Sequence, residues 1–241
     1  MSVPAWLSRT EIMMGEEKVQ NLVSSNVLVV GLGGVGGICA EMIARSGVGK
    51  MTIVDADIVE ASNRNRQIPA LISTDGKLKA EVMAERIRDI NPDIELTVIP
   101  EFIKDNRTIE ILNSQKFDYA VDCIDTLSPK VFFIKACIDM KIPLISSMGA
   151  GGKFDPTKIE VIDISETYQC NLARYVRKRL KRHGIHSGFK VVFSPEAADQ
   201  SRIFETPKAF PKKSVIGTIS YMPAAFGITC ASVVVRDLIN Q

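Results

Sequence analysis

The amino-acid sequence predicts an α/β fold: a Rossmann-like, mostly parallel sheet with helices on both faces, continued by a C-terminal strand and helix extension. Three observations carry this. Short apolar runs rich in β-branched residues alternate with helix-period segments over the first two-thirds of the chain. A glycine-rich turn joins the first run to its helix. The 241 residues, 46% of them hydrophobic, suffice for one large core and exclude a disordered tail or a mini-protein.

The run at 27–30 reads as the first strand, and the glycines after it lead into a helix over 35–46. Strands follow at 51–54, 94–99, 119–123 and 143–146, separated by helical patterns at 78–89, 108–113 and 129–140; such alternation implies parallel strands covered on both faces. After Gly149-Ala150-Gly151-Gly152 the pattern changes to a strand at 158–164, a basic helix at 172–182, a strand at 190–193 and a Pro-containing loop near 206–213. The stretch from Ser214 to Val235 carries no charge and approaches membrane-span length, but Thr218, Ser220, Pro223, Gly227 and Ser232 interrupt it. Proline lacks the amide that a helix interior needs, so Pro223 is expected to separate a short extended piece from a core or interface helix running to Arg236.

Thirty Lys and Arg against 28 Asp and Glu leave a net charge of +2, which by itself gives no reason to expect nucleic acid. The halves differ: residues 1–125 carry 13 basic and 19 acidic side chains, whereas 126–241 carry 17 and 9. The five cysteines (39, 123, 137, 170 and 230) are odd in number, scattered, and never spaced C-x-x-C, so neither a disulfide framework nor a structural zinc pair is indicated. The first residues show no basic segment leading into an apolar run, so a cytoplasmic, non-exported protein is expected.

The strongest local signal is Gly31-x-Gly33-Gly34-x-Gly36 directly after the first strand. Glycines let the backbone turn and approach a nucleotide, and the helix beyond them offers unpaired amides to phosphate. Asp55 ends the next strand nineteen residues after Gly36, where a carboxylate can accept from ribose hydroxyls. A nicotinamide site and an ATP site share these features. The residues beyond Asp55 favour ATP: Asn63-Arg64-Asn65-Arg66-Gln67, Lys77, Lys79 and the acidic pair in Asp122-Cys123-Ile124-Asp125 supply cations for phosphoryl oxygens and a carboxylate for Mg²⁺.

With Asp55-x-Asp57, Ser62-Asn63-x-x-Arg66-Gln67, Lys79 and Asp122-Cys123-x-Asp125, the glycine motif resembles the ubiquitin-activating-enzyme superfamily of adenylating proteins, which includes ThiF and MoeB, over roughly residues 8–150. The resemblance implies that Asp55, with Asp57 beside it, holds the ribose and that Asn63, Arg66 and Lys79 hold the phosphates. It also implies that Asp125 holds Mg²⁺ and that Arg9 reaches the triphosphate of a partner subunit, hence a homodimer. On this view the chain is one adenylating domain, with a nucleotide-binding core at 1–150 and a substrate-side and dimerisation extension at 151–241.

Zinc pairs common among sulfur-carrier-activating members are absent from the sequence, and no His or Lys stands beside Cys170 in the chain to activate it, so Cys170 reads as a spectator. The remaining residues resemble the tRNA threonylcarbamoyladenosine dehydratase branch over nearly the full length. The marks are Arg9-Thr10-Glu11, Asn65-Arg66-Gln67-Ile68, Lys79-Ala80-Glu81-Val82, Ile90-Asn91-Pro92 and Gly151-Gly152-Lys153-Phe154-Asp155-Pro156-Thr157. The branch implies activation of the threonyl carboxylate of a modified adenosine in tRNA as an acyl-adenylate, then ring closure by an oxygen of the same group with loss of AMP and, formally, of water. That scheme needs no enzyme nucleophile. It also associates the chain with a cysteine desulfurase or sulfur acceptor system.

Arg174, Arg177, Lys178, Arg179, Lys181 and Arg182 fall within nine residues of the predicted basic helix and form the candidate RNA-binding surface. The same charges would also suit a solvated helix whose C-terminal end favours cations. Two other functional readings stay open: adenylation of the C-terminus of a ubiquitin-like sulfur carrier, and a non-catalytic nucleotide-binding partner in sulfur relay.

Overall fold

Five consecutive buried residues, none of them charged, form the central strand β1 (Asn26–Val30). The computed structural model of the protein describes residues 3–197, 203–205 and 214–240. β2 (Lys50–Val54), β3 (Glu95–Ile99), β4 (Tyr119–Asp122) and β5 (Leu144–Ser147) run parallel to β1, in the order β3-β2-β1-β4-β5. β7 (Lys190–Phe193) continues the sheet in parallel beside β5, and β6 (Glu160–Asp163) closes it antiparallel to β7. β8 (Ile203–Glu205) and β9 (Ser214–Ile216) form a separate antiparallel pair. The predicted loop at 206–213 lies outside the described residues.

Side chains alternate across each strand, so the two faces of β1 feed two cores. Val27 and Val29 pack with α3 (Gly36–Arg45), α4 (Lys79–Ile90) and α8 (Tyr221–Leu238) through Ile43, Met83 and Phe226. Leu28 and Val30 pack on the other face with α5 (Asp105–Ser114), α6 (Leu127–Asp139) and α7 (Asn171–Leu180) through Leu112, Phe133 and Val176.

Several expectations are corrected in detail. Two helices precede the sheet, α1 (Ser8–Met14) and α2 (Glu16–Ser24), which the sequence pattern does not reveal; α2 buries only Val19 and Leu22, while α1 buries nothing. The strand expected at 158–164 is the shorter β6, flanked by 3₁₀ turns that Asp155 and Asp163 cap. α8 starts at Tyr221 rather than after Pro223. The proline stands in the first turn, where its missing amide would have had no helical partner. Among the described residues no helix is long and apolar enough to cross a membrane.

Candidate active site

β1 and β4 are neighbours although β2 and β3 lie between them in sequence, and β1 is where the strand order reverses. In a parallel sheet the crevice outside the carboxyl ends at such a point receives ligands. There the chain places Gly31–Gly36, Asp55 and the Asp122–Asp125 segment together.

The glycine turn is fixed by close approach. Gly31 has φ +89°, and a Cβ on it would stand 2.8 Å from the Cys123 carbonyl oxygen. A Cβ on Gly36 would stand 1.7 Å from the Gly31 carbonyl oxygen. Gly34 lies against Pro223 of α8, whereas Gly33 faces more open space, with the Gln67 amide as its nearest neighbour at 3.8 Å. The turn thus keeps one approach clear of side chains, at the amino end of α3, where the helix dipole favours negative charge.

Asp55 is tied to this turn. Its Oδ2 accepts from the Leu32 amide at 2.6 Å and its Oδ1 from the Asp57 amide at 2.8 Å. Burial pushes its carboxyl above the usual range, against the pull of the Leu32 amide and of Lys79. The Lys79 Nζ is 2.9 Å from Asp57 Oδ2, with the lysine buried and the aspartate exposed. Arg66, half-buried, donates to the Ser62 carbonyl at 3.0 Å and to Asn65 Oδ1 at 2.7 Å. Asn65 in turn donates to the Thr218 carbonyl at 3.0 Å and so links this loop to the segment before α8. Asn63, buried, accepts from the Glu60 amide at 3.2 Å through its Oδ1 and closes the turn that carries Arg66.

Asp122 and Asp125 have different surroundings. Asp122 is fully buried and faces Lys130 of α6, also fully buried, at 2.8 Å. It further accepts from Ser146 Oγ at 2.6 Å and from the Ile124 amide at 3.0 Å, while Lys130 donates to the Ile124 carbonyl at 3.0 Å. This network shapes the turn that ends in exposed Asp125, which accepts from Thr126 Oγ1 at 3.3 Å. The sequence motifs do not include Lys130; the signal is a cation that directly precedes the apolar run Val131-Phe132-Phe133-Ile134 of α6.

A hard cation fits here in one manner. Among the described residues no three His, Cys, Asp or Glu side chains gather as a metal set. Mg²⁺ characteristically takes one or two carboxylates and draws its other oxygens from phosphate and water, and exposed Asp125 beside the phosphate turn suits that role.

Arg9 is exposed on α1. The adjoining Leu7 packs against the Gly47 turn, which leads into the amino end of β2. Arg9 therefore belongs to the end of the sheet away from the glycine turn, and the fold does not bring it to the chain's own site. Cys39, Cys123 and Cys230, scattered in sequence, converge in space; hydrogen bonding with Cys123, together with burial, pushes the Cys39 and Cys230 thiols up. Cys170 is buried at the start of α7, and the fold brings Lys153 near it, a neighbour hidden in the sequence. The Lys153 ammonium is itself held by the Ser194 and Glu196 carbonyls.

On α7, Ala173, Val176 and Leu180 face the core, and Arg174, Lys178 and Arg179 face solvent, followed by Lys181 and Arg182 in a closing 3₁₀ turn. Two of the six cations reach other elements of the chain, Arg177 to Thr167 and Arg179 to Ser128 Oγ at 2.8 Å, while Arg174 donates to the neighbouring Tyr175 hydroxyl at 3.4 Å. The second contact sets the far end of α7 beside the start of α6, close in sequence to Asp125.

Fold and site together define a doubly wound nucleotide-binding α/β protein, with cations and the exposed carboxylates of Asp57 and Asp125 around a glycine turn. The chain belongs to the ThiF family, whose model matches residues 7–241. The tRNA threonylcarbamoyladenosine dehydratase of Bacillus subtilis is 39% identical over 241 residues, covering 97% of this chain and 94% of its own. That of Escherichia coli is 37% identical over 257 residues, covering 98% and 96%. The crystal structure of the E. coli enzyme, TcdA, in complex with ATP superposes with a TM-score of 0.89 at 37% identity, over 100% of this chain and 97% of that one.

Proposed function

We propose that the protein is an ATP-dependent tRNA-modifying enzyme that cyclises threonylcarbamoyladenosine through an acyl-adenylate of its threonyl carboxylate. The observation that carries this reading is the end-to-end agreement with the ATP-bound E. coli dehydratase, TM-score 0.89 at 37% identity. The carboxylate attacks the ATP α-phosphorus and pyrophosphate leaves. An oxygen of the carbamoyl group then closes on the activated carbonyl and AMP leaves.

The chain's residues position and neutralise rather than form a covalent link. Asp55, held by the Leu32 and Asp57 amides, accepts from the ribose hydroxyls. Lys79 and Arg66 balance charge on the phosphoryl oxygens, and the Asn63 turn presents Arg66. Asp125 would hold Mg²⁺, which when bound supplies further neutralisation of the phosphates. The clear side of Gly33 admits the phosphates.

The experiment that tests this reading is pyrophosphate release from ATP with alternative acceptors. Release is expected with threonylcarbamoylated tRNA. Dependence on a carrier protein ending in Gly-Gly, with no response to the tRNA, would favour the carrier-adenylating alternative and contradict the proposal.

Arg9 completes the site from a second subunit in this proposal, supported by its distance from its own glycine turn and by neighbouring Ile12 and Met13, 86% and 85% exposed on α1. Arg9→Ala and Asp125→Ala proteins are each expected to be inactive. Mixed and allowed to exchange subunits, they should regain about a quarter of the parent's specific activity, because hybrid dimers hold one intact site of two. An inert mixture, with exchange verified by mass spectrometry, would contradict the shared site.

For the basic helix, Arg174, Lys178 and Arg182 are the cations to test, since all three are exposed and none is held by another element, as Arg177 and Arg179 are. Replacing the three by Glu should weaken tRNA binding at least about tenfold and reduce its salt slope by about three, with ATP affinity unchanged. An unaltered salt slope would remove the helix from the RNA surface.

A further inference from the structure

Pinned backbone and exposed side chain coincide at Phe154, in the loop after β5. The Gly152 amide donates to the Gly217 carbonyl at 2.9 Å, and the Phe154 and Asp155 amides donate to the Glu196 carboxylate at 3.0–3.2 Å. Buried Lys153 holds the Ser194 carbonyl at 3.0 Å. On this fixed backbone the Phe154 ring is 69% exposed. Its one aromatic neighbour among the described residues is Tyr221, edge to face, with centroids 5.9 Å apart and planes at 73°. Tyr221 opens α8, two residues before the Pro223 that abuts Gly34. A large apolar side chain left open to water on a pinned backbone, near the glycine turn, gains nothing from folding. Its geometry suits a flat ligand.

The sheet order says which ligand. Asp55 follows β2, on one side of β1, whereas Phe154 follows β5, on the other side and beyond β4. A nucleotide with its ribose at Asp55 and its phosphates at the glycine turn extends away from Phe154, so the ring does not serve the adenine of ATP. The acceptor must approach the phosphates from the β4–β5 side. There α7 begins: Gly149 lies against Leu172, and Lys153 lies near Cys170. The exposed cations of α7 suit a polyanion on this side, and Arg174 itself lies over the Tyr175 ring at 5.0 Å.

We propose that Phe154, braced by Tyr221, is a stacking platform for a nucleobase of the RNA that presents its carboxylate to the ATP α-phosphate, an inference that rests on the tRNA reading above. Every nucleobase has a π-face, so an aromatic ring orients a base without reading its sequence, and phosphate contacts on α7 hold the strand in register.

The test compares Phe154→Leu, Phe154→Ala and Phe154→Trp in the full-length protein. Binding of an anticodon stem-loop RNA bearing threonylcarbamoyladenosine is measured at several salt concentrations, with KM and kcat for that RNA, ATP affinity and sedimentation velocity. The Leu and Ala variants are expected to bind RNA about five- to a hundredfold more weakly and to raise its KM, with the parent's salt slope and ATP affinity. The Trp variant is expected to bind as the parent does. RNA binding and KM unchanged in the Leu variant would overturn the proposal while leaving the tRNA reading intact. Altered subunit assembly in the Leu and Ala variants would overturn it in favour of an interface between copies. A parent protein that neither binds nor converts the RNA would overturn both.

Discussion

Asp125→Ala is expected to lower turnover by about a hundred- to ten-thousandfold, the range that corresponds to several kcal/mol of charge stabilisation at the phosphates. The effect should fall on catalysis and not on folding. Asp125 is exposed at the end of a turn whose shape is set by buried Asp122 and Lys130, so its removal is expected to change stability by no more than about 0.5 kcal/mol. Asp125→Asn, which keeps the shape and loses the charge, should behave like the alanine variant. Steady-state kinetics across a Mg²⁺ titration, beside a denaturant melt, separates the two quantities. Unaltered turnover at saturating Mg²⁺ would remove Asp125 from the metal role.

The largest effect on stability is expected at Lys130. Both members of the Asp122–Lys130 pair are fully buried, so Lys130→Met leaves an uncompensated carboxylate inside the protein, at a cost of about 3–5 kcal/mol. The pH dependence has a definite sign. Burial raises the Asp122 carboxyl above its ordinary range, and Lys130 partly opposes that rise. A carboxyl whose folded pKa exceeds its unfolded one contributes stability that is fully present below the unfolded value and is lost as pH rises through the folded value. Removing Lys130 lifts the folded pKa further, so the variant's deficit relative to the parent should be smallest in acid and grow toward neutrality. Urea melts of both proteins between about pH 4 and pH 8 read this directly. Asp122→Asn combined with Lys130→Met should recover part of the loss, because no buried charge remains. A deficit that shrinks as pH rises would contradict the buried-pair account.

The parallel core is readable because strands buried on both faces are continuous apolar runs, as in β1 and β4, and because the glycine turn and Asp55 fall at fixed places after such strands. Elements at the surface are not. α1 buries no side chain, so no apolar period marks it. The start of α8 is misplaced in sequence because proline is tolerated in a first turn, and a linear pattern does not say whether a proline stands there or before the helix. The antiparallel direction of β6 depends on its pairing with β7 across the intervening α7.

At the site, residue types are legible and their partners are not. Asp55, Asp57 and Lys79 stand out separately in the chain, yet the ion pair joining Lys79 to Asp57 exists only in the fold. Asn63 reads as a phosphate ligand, and the hydrogen bond by which its Oδ1 also closes the local turn appears only in the fold. Clustering within nine residues places Arg177 and Arg179 among the RNA cations, but it does not see Thr167 and Ser128, which reach them from other elements. Lys130 escapes notice because a single lysine in a helix is ordinarily a solvated one.

If this chain uses ATP to close a ring on a modified adenosine in tRNA, mass spectrometry of nucleosides from threonylcarbamoylated tRNA, after incubation with the protein, ATP and Mg²⁺, shows it most directly. The expected result is that threonylcarbamoyladenosine is replaced by a product lighter by one water, with AMP and pyrophosphate formed in step, and that none of this happens without ATP. Threonylcarbamoyladenosine that remains unchanged while the same protein adenylates a carrier ending in Gly-Gly would contradict it.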